Sequence, residues 1–520
     1  MKKFLLRFAA VVAGVLHGFD RLRFRGSNRQ LCHAAGVMSW LGHVRIPLKE
    51  FRLFARDTTV SLCQSLEGPA TAAGIYRYLN NSQLSKEEEA LRLAAEQGRT
   101  QGLIAVLGCV EPCQVLQVRG NAHTKKLELR VESGKCKHYY HYYLDPQYGL
   151  RYTRLQSWFP FTMHLGLNGR DWLGQQLTQA GIAYRKQDNC FPWLSDFAAA
   201  QKLADQQRTT NWSGLLDRWA GESYPLGATF LPCAVPYYWS VETCEYATDY
   251  AFQSPAELGR LYPRLVEQAR TTLRSTDLLR FMGYRLRQDG APRTNLAGEV
   301  TTRIKELVEG VCVKHQVLGN QLKMYDKFGQ VLRLETNLRQ LRDFKVYRTS
   351  ESSPADPPKR CRLRQGVVDI AERAEVSQQA NDRYAEALAS VADKTPLAEL
   401  TKDLGQRRQW KGRQVRPLNP LAKEDVRLLE VVSRGEFLIS GFRNRDLRAR
   451  LFADEPAATA AAAKRQSAKV TRWLRLLQAH SLITKIERSH RYQVSEQGSA
   501  RLSALLAARR ANTEQLLQAA

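Results

Sequence analysis

At 520 residues the chain exceeds one ordinary domain, and a hydrophobic content of 43% supplies ample material for a core. Lys and Arg number 78 against 51 Asp and Glu, a formal charge of +27, which points to a polyanionic partner, in the simplest case nucleic acid. No uninterrupted apolar run is long enough to span a bilayer, so no membrane partner is expected.

The N-terminal stretch MKKFLLRFAAVVAGVLHGFDRLRFRGSNR begins like a secretory leader, with Lys2 and Lys3 ahead of an apolar run. Arg7 interrupts that run and Arg21, Arg23, Arg25 and Arg29 follow, so a folded N-terminal helix in a cytoplasmic protein is expected rather than export. The ten cysteines are scattered without a compact framework, which suits a reducing cytosol. Leu22 and Phe24 alternate with arginines, the pattern of a half-exposed strand over Asp20–Gly26. Ser85 can cap a helix whose first turn is acidic and which Gly98 ends. Gly102–Val110 is apolar and reads as a buried strand.

An aromatic-rich hairpin is expected around Asp145–Gly149, and a capped helix between Asn168 and Gly181. The region from Gly221 to Gly290 reads as mainly helical after YYWSVETCEYATDYAF, with Leu258, Leu261, Leu265 and Val266 at helical spacing. Gly310–Leu338 alternates through successive strands, with a type I turn and glycine bulge at Asp326–Gly329. Thr349–Arg362 reads as a loop, Val367–Val391 as a bridging helix and Gly405–Pro420 as a basic interdomain tether. The expected divisions are a mixed α/β region over 1–200, a helical segment with a β-hairpin region over 201–348, a linker and bridging helix over 349–414, and a last domain over 415–520. The fold class is α+β.

In the last hundred residues two helices precede an alanine-rich loop, and a third, Lys464–Ile483, carries Val470, Leu474 and Leu477 inward. Two short strands flank Arg488-Ser-His490 and a final helix closes the chain. Residues 401–520 hold 24 Lys and Arg against 11 Asp and Glu, +13. The element order, with RNRDLR, TRWLRLLQAHSLI and RYQVSEQG, resembles the winged-helix variant of the helix-turn-helix. That resemblance implies that Lys464–Arg475 enters the major groove of double-stranded DNA and that the hairpin touches the backbone. The candidate contacts are Arg443, Arg445, Lys464, Arg465, Ser467, Lys469, Thr471, Arg472, Arg475, Arg488 and Arg491.

LKMYDKFGQVLRLET, Leu322–Thr336, is the chemically suggestive stretch. Period two places Lys323, Tyr325, Arg333 and Glu335 on one face and Leu322, Met324, Leu332 and Leu334 on the other. A tyrosine flanked by cations can act as a nucleophile in strand transfer, which makes these four the catalytic candidates. The same residues also suit cross-strand pairing on a solvated sheet face. Tyr-Asp-Lys, a turn and Arg-x-Glu is similar to a segment of phage and rolling-circle plasmid replication initiators. Those that nick DNA commonly carry a His-hydrophobic-His metal motif, whereas this chain offers His138-Tyr-Tyr-His141, one residue too long.

Cys109, Cys113, Cys136, His138 and His141 could contribute to a zinc site, at irregular spacing. Arg151 and Arg154 among the tyrosines could stack bases of single-stranded DNA or RNA, or simply build a hairpin core. Asp20, Glu111, Asp145, Glu245, Asp249, Asp326 and Glu335 are the acids available to hold Mg²⁺ or Mn²⁺ if the protein cleaves DNA. No P-loop occurs. GFDRLRFRG, CVEPCQ, RLQSWFPF, NGRDWL, QDNCF, EYATDYAF and RGEFLISGFRNRDLR resemble, over nearly the full length, a family of uncharacterised bacterial proteins of the mobile-genetic-element type. The expectation is a replication-initiator-like or mobile-element DNA-binding protein. A transcriptional regulator or an RNA-binding protein is the alternative.

Overall fold

The structure, a computed structural model, describes residues 2–81, 83–224, 236–284, 286, 299–348, 357–389, 401–486 and 489–511. The chain is mixed α/β. It divides into two compact units, one formed by Leu16–Ala247 and Asn337–Glu375, the other by Met1–Val15, Thr248–Thr336 and Val376–Ala520. No helix among the described residues is long and apolar enough to cross a membrane.

The first unit is built on a sheet of β1 (Val12–Asn28), β2 (Tyr76–Leu79), β3 (Gly102–Gly120), β4 (Leu127–Asp145), β5 (Gly149–Gln156), β6 (Met163–Asn168) and the front of β9 (Tyr237–Phe252), in the order β9-β1-β6-β5-β4-β3-β2. β7 (Tyr184–Gln187) and β8 (Cys190–Leu194) pair separately. Leu22 and Phe24 are wholly buried while Arg21, Arg23 and Arg25 stay exposed, so the alternation seen in the sequence is the two faces of β1. β4 and β5 form the expected hairpin, with Asp145 opposite Gly149. Ser85 caps Lys86–Glu96 by accepting from the Glu88 N–H, and Asn168 caps Gly169–Gln179 by accepting from the Arg170 N–H. Phe159 centres an aromatic cluster with Trp40, Phe51, Phe54 and Phe161. The aromatic stretch ahead of the expected helices is itself the 16-residue strand β9, rich in aromatic and β-branched residues.

In the second unit β10 (Val300–Leu307), β11 (Gly310–Val317), β12 (Asn320–Lys327) and β13 (Val331–Asn337) follow in order, and Thr248–Phe252 of β9 lies beside β13. Leu258, Leu261 and Leu265 are buried along the Pro255–Thr271 helix, as their spacing requires. Phe4 of the Lys2–Phe8 helix is buried against Tyr250. The turn between β12 and β13 differs from expectation. Phe328 and Gly329 both have positive φ, 54° and 70°, and Gln330 N–H bonds to Lys327 O, the signature of a two-residue type I′ turn.

The C-terminal part of this unit contains the helices Lys423–Val432, Gly435–Ser440, Asn444–Leu451, Ala460–Ala479 and Glu496–Arg510, with a hairpin of Ile483–Lys485 and Tyr492–Val494. Leu428, Leu447, Leu474, Leu477 and Leu482 share its core. Two sequence expectations are corrected here. The alanine-rich loop ends earlier than expected: residues 453–459 are non-helical, but Ala460–Ala463 form the first turn of the Ala460–Ala479 helix, capped by Thr459, because alanine is the strongest helix former. The Gly405–Pro420 stretch is not a free tether. Its Arg408–Trp410/Arg413–Val415 hairpin is flanked by Leu404 and Leu418, both buried in the same core, and Arg416 pairs with both oxygens of Asp425. The serine- and proline-rich residues 349–356 and Arg488 lie outside the described residues.

Candidate nucleic-acid interface and polar pocket

The Ala460–Ala479 helix turns Val470, Trp473, Leu474, Leu476 and Leu477 into the core. At 100° per residue, Lys464, Ala468, Thr471, Arg472 and Arg475 fall within a narrow arc on the opposite side. Lys464, Arg465 and Arg472 are exposed and Arg475 is half-buried, and these four make no ion pair among the described residues. They are therefore available to a polyanion.

The other candidates on this surface divide by their partners. Lys469 pairs with Glu424 and lies 4.9 Å from the Trp473 ring centroid, so it braces the helix. Ser467 donates to Asn444 Oδ1 at 3.1 Å, Thr471 donates to Ser467 O at 2.9 Å, and Asn444 Nδ2 reaches Thr471 Oγ1 at 3.0 Å. These hydroxyls clasp the two helices together, which removes them from the set of free base-reading groups. Asn444 is the residue that sequence reasoning missed, because its partners lie 23 and 27 positions away. Arg491 donates to Gly441 O at 3.2 Å and so supports the hairpin. Arg443 is half-buried, its backbone N–H held by Asp446, while Arg445 is exposed.

In the β12–β13 hairpin the four catalytic candidates do share a face, but that face is not solvated. Lys323, Arg333 and Glu335 are buried and Tyr325 is half-buried. Lys323 Nζ bonds Glu335 Oε1 at 2.6 Å, the expected cross-strand pair. Arg333 does not join it. It grips Asp249 of β9 through Nε and Nη2, at 2.6 and 2.9 Å. Burial raises the Tyr325 phenol far above its ordinary range, and the charge of Glu335 pushes the same way. A phenol held protonated is a poor nucleophile, so the arrangement favours pairing over strand transfer.

The first unit carries a pocket of about 750 Å³ over β1, β4, β5 and β6. Arg21, Arg23, Lys86, Tyr140, Tyr152 and Arg154 are among its lining residues. At its wall Glu111 accepts from Tyr140 at 2.8 Å, from Arg154 at 2.8 Å and from Lys86 at 3.2 Å. Burial would raise the Glu111 carboxyl, but the Tyr140 hydrogen bond and the Arg154 charge hold it below its usual value. Tyr152 lies 6.4 Å from Tyr140 and 5.6 Å from Tyr142 between ring centroids. Arg154, read from sequence as a base-stacking candidate, reaches this pocket. Arg151 does not, being committed to Asp145 and Glu222. Arg21 and Arg23 had a legible signal in the β1 alternation; Lys86 had none beyond its place after a helix cap.

The acids also sort themselves. Glu111, Asp145 and Asp249 are engaged by arginines, and Asp326 accepts from the Gly329 N–H. Asp20 of β1 and Glu245 of β9 have carboxylate oxygens within 4.8 Å of one another. Asp20 is buried and accepts from Asn189 at 2.6 Å, while Asn337 donates to Glu245 at 3.5 Å. Two carboxylates this close repel unless they share a proton or a cation, so this donor set fits Mg²⁺ or Mn²⁺. Among the cysteines and histidines, Cys113, Cys136 and His138 come together, whereas Cys109 and His141 stay out of the cluster. Comparison with family models, curated proteins and solved structures finds no match to this chain.

Proposed function

We propose that this chain binds double-stranded DNA through its C-terminal module acting as a winged helix, with the Ala460–Ala479 helix in the major groove and the hairpin at the backbone. The observation that carries this reading is the set of unpaired cations on the helix's outer side, Lys464, Arg472 and half-buried Arg475 opposite the buried face with exposed Arg465 at its flank. Ala468 within that arc has a side chain small enough for a base edge to approach. The local excess of +13 over residues 401–520 supplies the long-range attraction. A mobile-element or replication role is supported by the sequence resemblance. Processing of DNA strands would draw on the Asp20–Glu245 carboxylates with Mg²⁺ or Mn²⁺ rather than on Tyr325.

The test uses full-length protein with duplex DNA from its genetic neighbourhood, on native and denaturing gels, with and without Mg²⁺ or Mn²⁺. Replacing Lys464, Arg465 and Arg472 together by Ala is expected to weaken duplex binding by about tenfold or more and to flatten the salt dependence by about three units of slope. Unchanged affinity and slope in a folded triple variant would reject this reading. Intact DNA in every lane would leave a non-enzymatic regulator.

A second reading is favoured by the tyrosine- and arginine-lined pocket, which suits a single strand of DNA or RNA. Its mark would be tight single-strand binding that survives the triple substitution but not Arg154→Ala.

A further inference from the structure

We propose that Cys113, Cys136 and His138 form a binding site for one soft or borderline divalent metal ion of the zinc type, separate from the DNA-binding surface. The three residues come from β3 and β4, whose register sets Cys113 opposite Gly134 and Glu111 opposite Cys136. Cys113, Glu111, Cys136 and His138 therefore project on one sheet face, because alternate residues share a side. His141, three residues beyond His138, falls on the other face, while Cys109 shares the face but stays outside the group of ligand atoms within 4.8 Å, so the five-residue set suggested by the sequence reduces to three.

The geometry suits a tetrahedral ion. One ligand atom from each residue lies within 4.8 Å of the others, and the two sulfurs are 3.4 Å apart. Metal–sulfur bonds of about 2.3 Å place two thiolates about 3.8 Å apart in a tetrahedron, so a few tenths of an ångström of opening admits the ion. His138 is buried at 1% exposure. Its Nδ1 lies 3.2 Å from Cys136 O, which favours the proton on Nδ1 and leaves Nε2 as the basic nitrogen. That Nε2 is buried and has no hydrogen-bond partner. A ring nitrogen bonded to a backbone carbonyl with its counterpart unsatisfied is the usual preparation of a metal-binding histidine. Glu111 is not a fourth ligand, being already held by Tyr140, Arg154 and Lys86. With three protein donors the fourth position would go to water, Cys113 and Cys136 both being half-buried rather than sealed in the core.

Uptake breaks two S–H bonds and forms two metal–sulfur bonds, with both protons passing to solvent and no change of oxidation state. The competing chemistry for the same sulfurs is a disulfide, which needs an oxidant and an approach to about 2.0 Å.

The experiment titrates full-length, reduced, metal-free protein with Co²⁺ and then Zn²⁺. The expected result is an intense thiolate-to-cobalt charge-transfer absorption that saturates at one equivalent, is bleached by zinc, and accompanies release of about two protons per ion. Cys113→Ser and Cys136→Ser each remove that absorption. His138→Gln, which keeps both sulfurs, weakens zinc binding by about tenfold or more. Should the cysteine variants not fold, His138→Gln with folding checked by circular dichroism carries the test. The proposal is overturned if the wild type shows no charge-transfer band, if the band survives loss of both cysteines, if His138→Gln binds as tightly as wild type, or if air produces a Cys113–Cys136 disulfide in protein that takes up no metal.

Discussion

The Arg333 guanidinium has no exposure to solvent, yet it carries a full charge beside Asp249 on another strand. Period two in the sequence identified which side chains share its face. It did not reveal that the face is covered, because Asp249 lies 84 residues away. The same blindness applies to His315, which the sequence shows merely as a polar residue in an alternating strand. It is wholly buried, with Nδ1 2.8 Å from Thr302 Oγ1 and Nε2 2.9 Å from the Tyr384 hydroxyl. Burial draws its pKa down from 6.5 to about 4. The unfolded chain therefore binds the proton more readily than the folded one. Stability from this group is present above about pH 6.5 and is lost as pH falls towards 4, on the order of 3 kcal/mol over that window. Urea unfolding of His315→Gln across that range should show a shallower acid slope than wild type; equal slopes would contradict the assignment.

Elements were more legible than their joints. The caps at Ser85 and Asn168, the alternation of β1 and the buried face of the basic helix all follow from local chemistry. The alanine-rich stretch and the short helix after Gly435 do not, since loop and helix readings are both open to small residues until packing decides. Gly435 is required by packing: a Cβ there would sit 2.5 Å from Asp277 Cγ. The next residue, Glu436, is 3% exposed and pairs with Arg280, Arg434 and Arg450. One carboxylate thus fastens the Gly435–Ser440 helix to both the Ser275–Met282 helix and the Asn444–Leu451 helix. Glu436→Ala leaves cations at that buried point without their counter-ion and should cost about 3 kcal/mol in denaturant unfolding. A change below about 1 kcal/mol would mean that solvent already screens the cluster. In the β12–β13 turn the glycine was legible, but the type was not, because Phe328 takes a positive φ that few residues adopt.

For the molecule as a whole, sequence reasoning reached the mixed α/β class and the cationic C-terminal stretch with its basic helix, short hairpin and closing helix, but not the additional Gly435–Ser440 helix. The polar pocket and the Asp20–Glu245 approach were beyond it, and of the five cysteines and histidines offered for a zinc site the sequence could not single out Cys113, Cys136 and His138, since each set joins residues from different strands whose pairing no local pattern encodes. The chain passes between the two units four times, at residues 15/16, 247/248, 336/337 and 375/376. Fragments 1–336 and 337–520 should each fail to unfold cooperatively when expressed alone, yet recover a cooperative transition when expressed together. Cooperative unfolding of either fragment in isolation would show that its share of a unit suffices.

That interleaving sets an order of events during synthesis. Neither unit can close while the ribosome is short of Asn337, and β1 lacks its β9 neighbour until Tyr237 has been made, so its edge must wait open. At about 5–20 residues per second the wait lasts tens of seconds. The arginines that alternate along β1 are present from the first moments of that wait, and their mutual repulsion discourages nascent chains from pairing strand to strand.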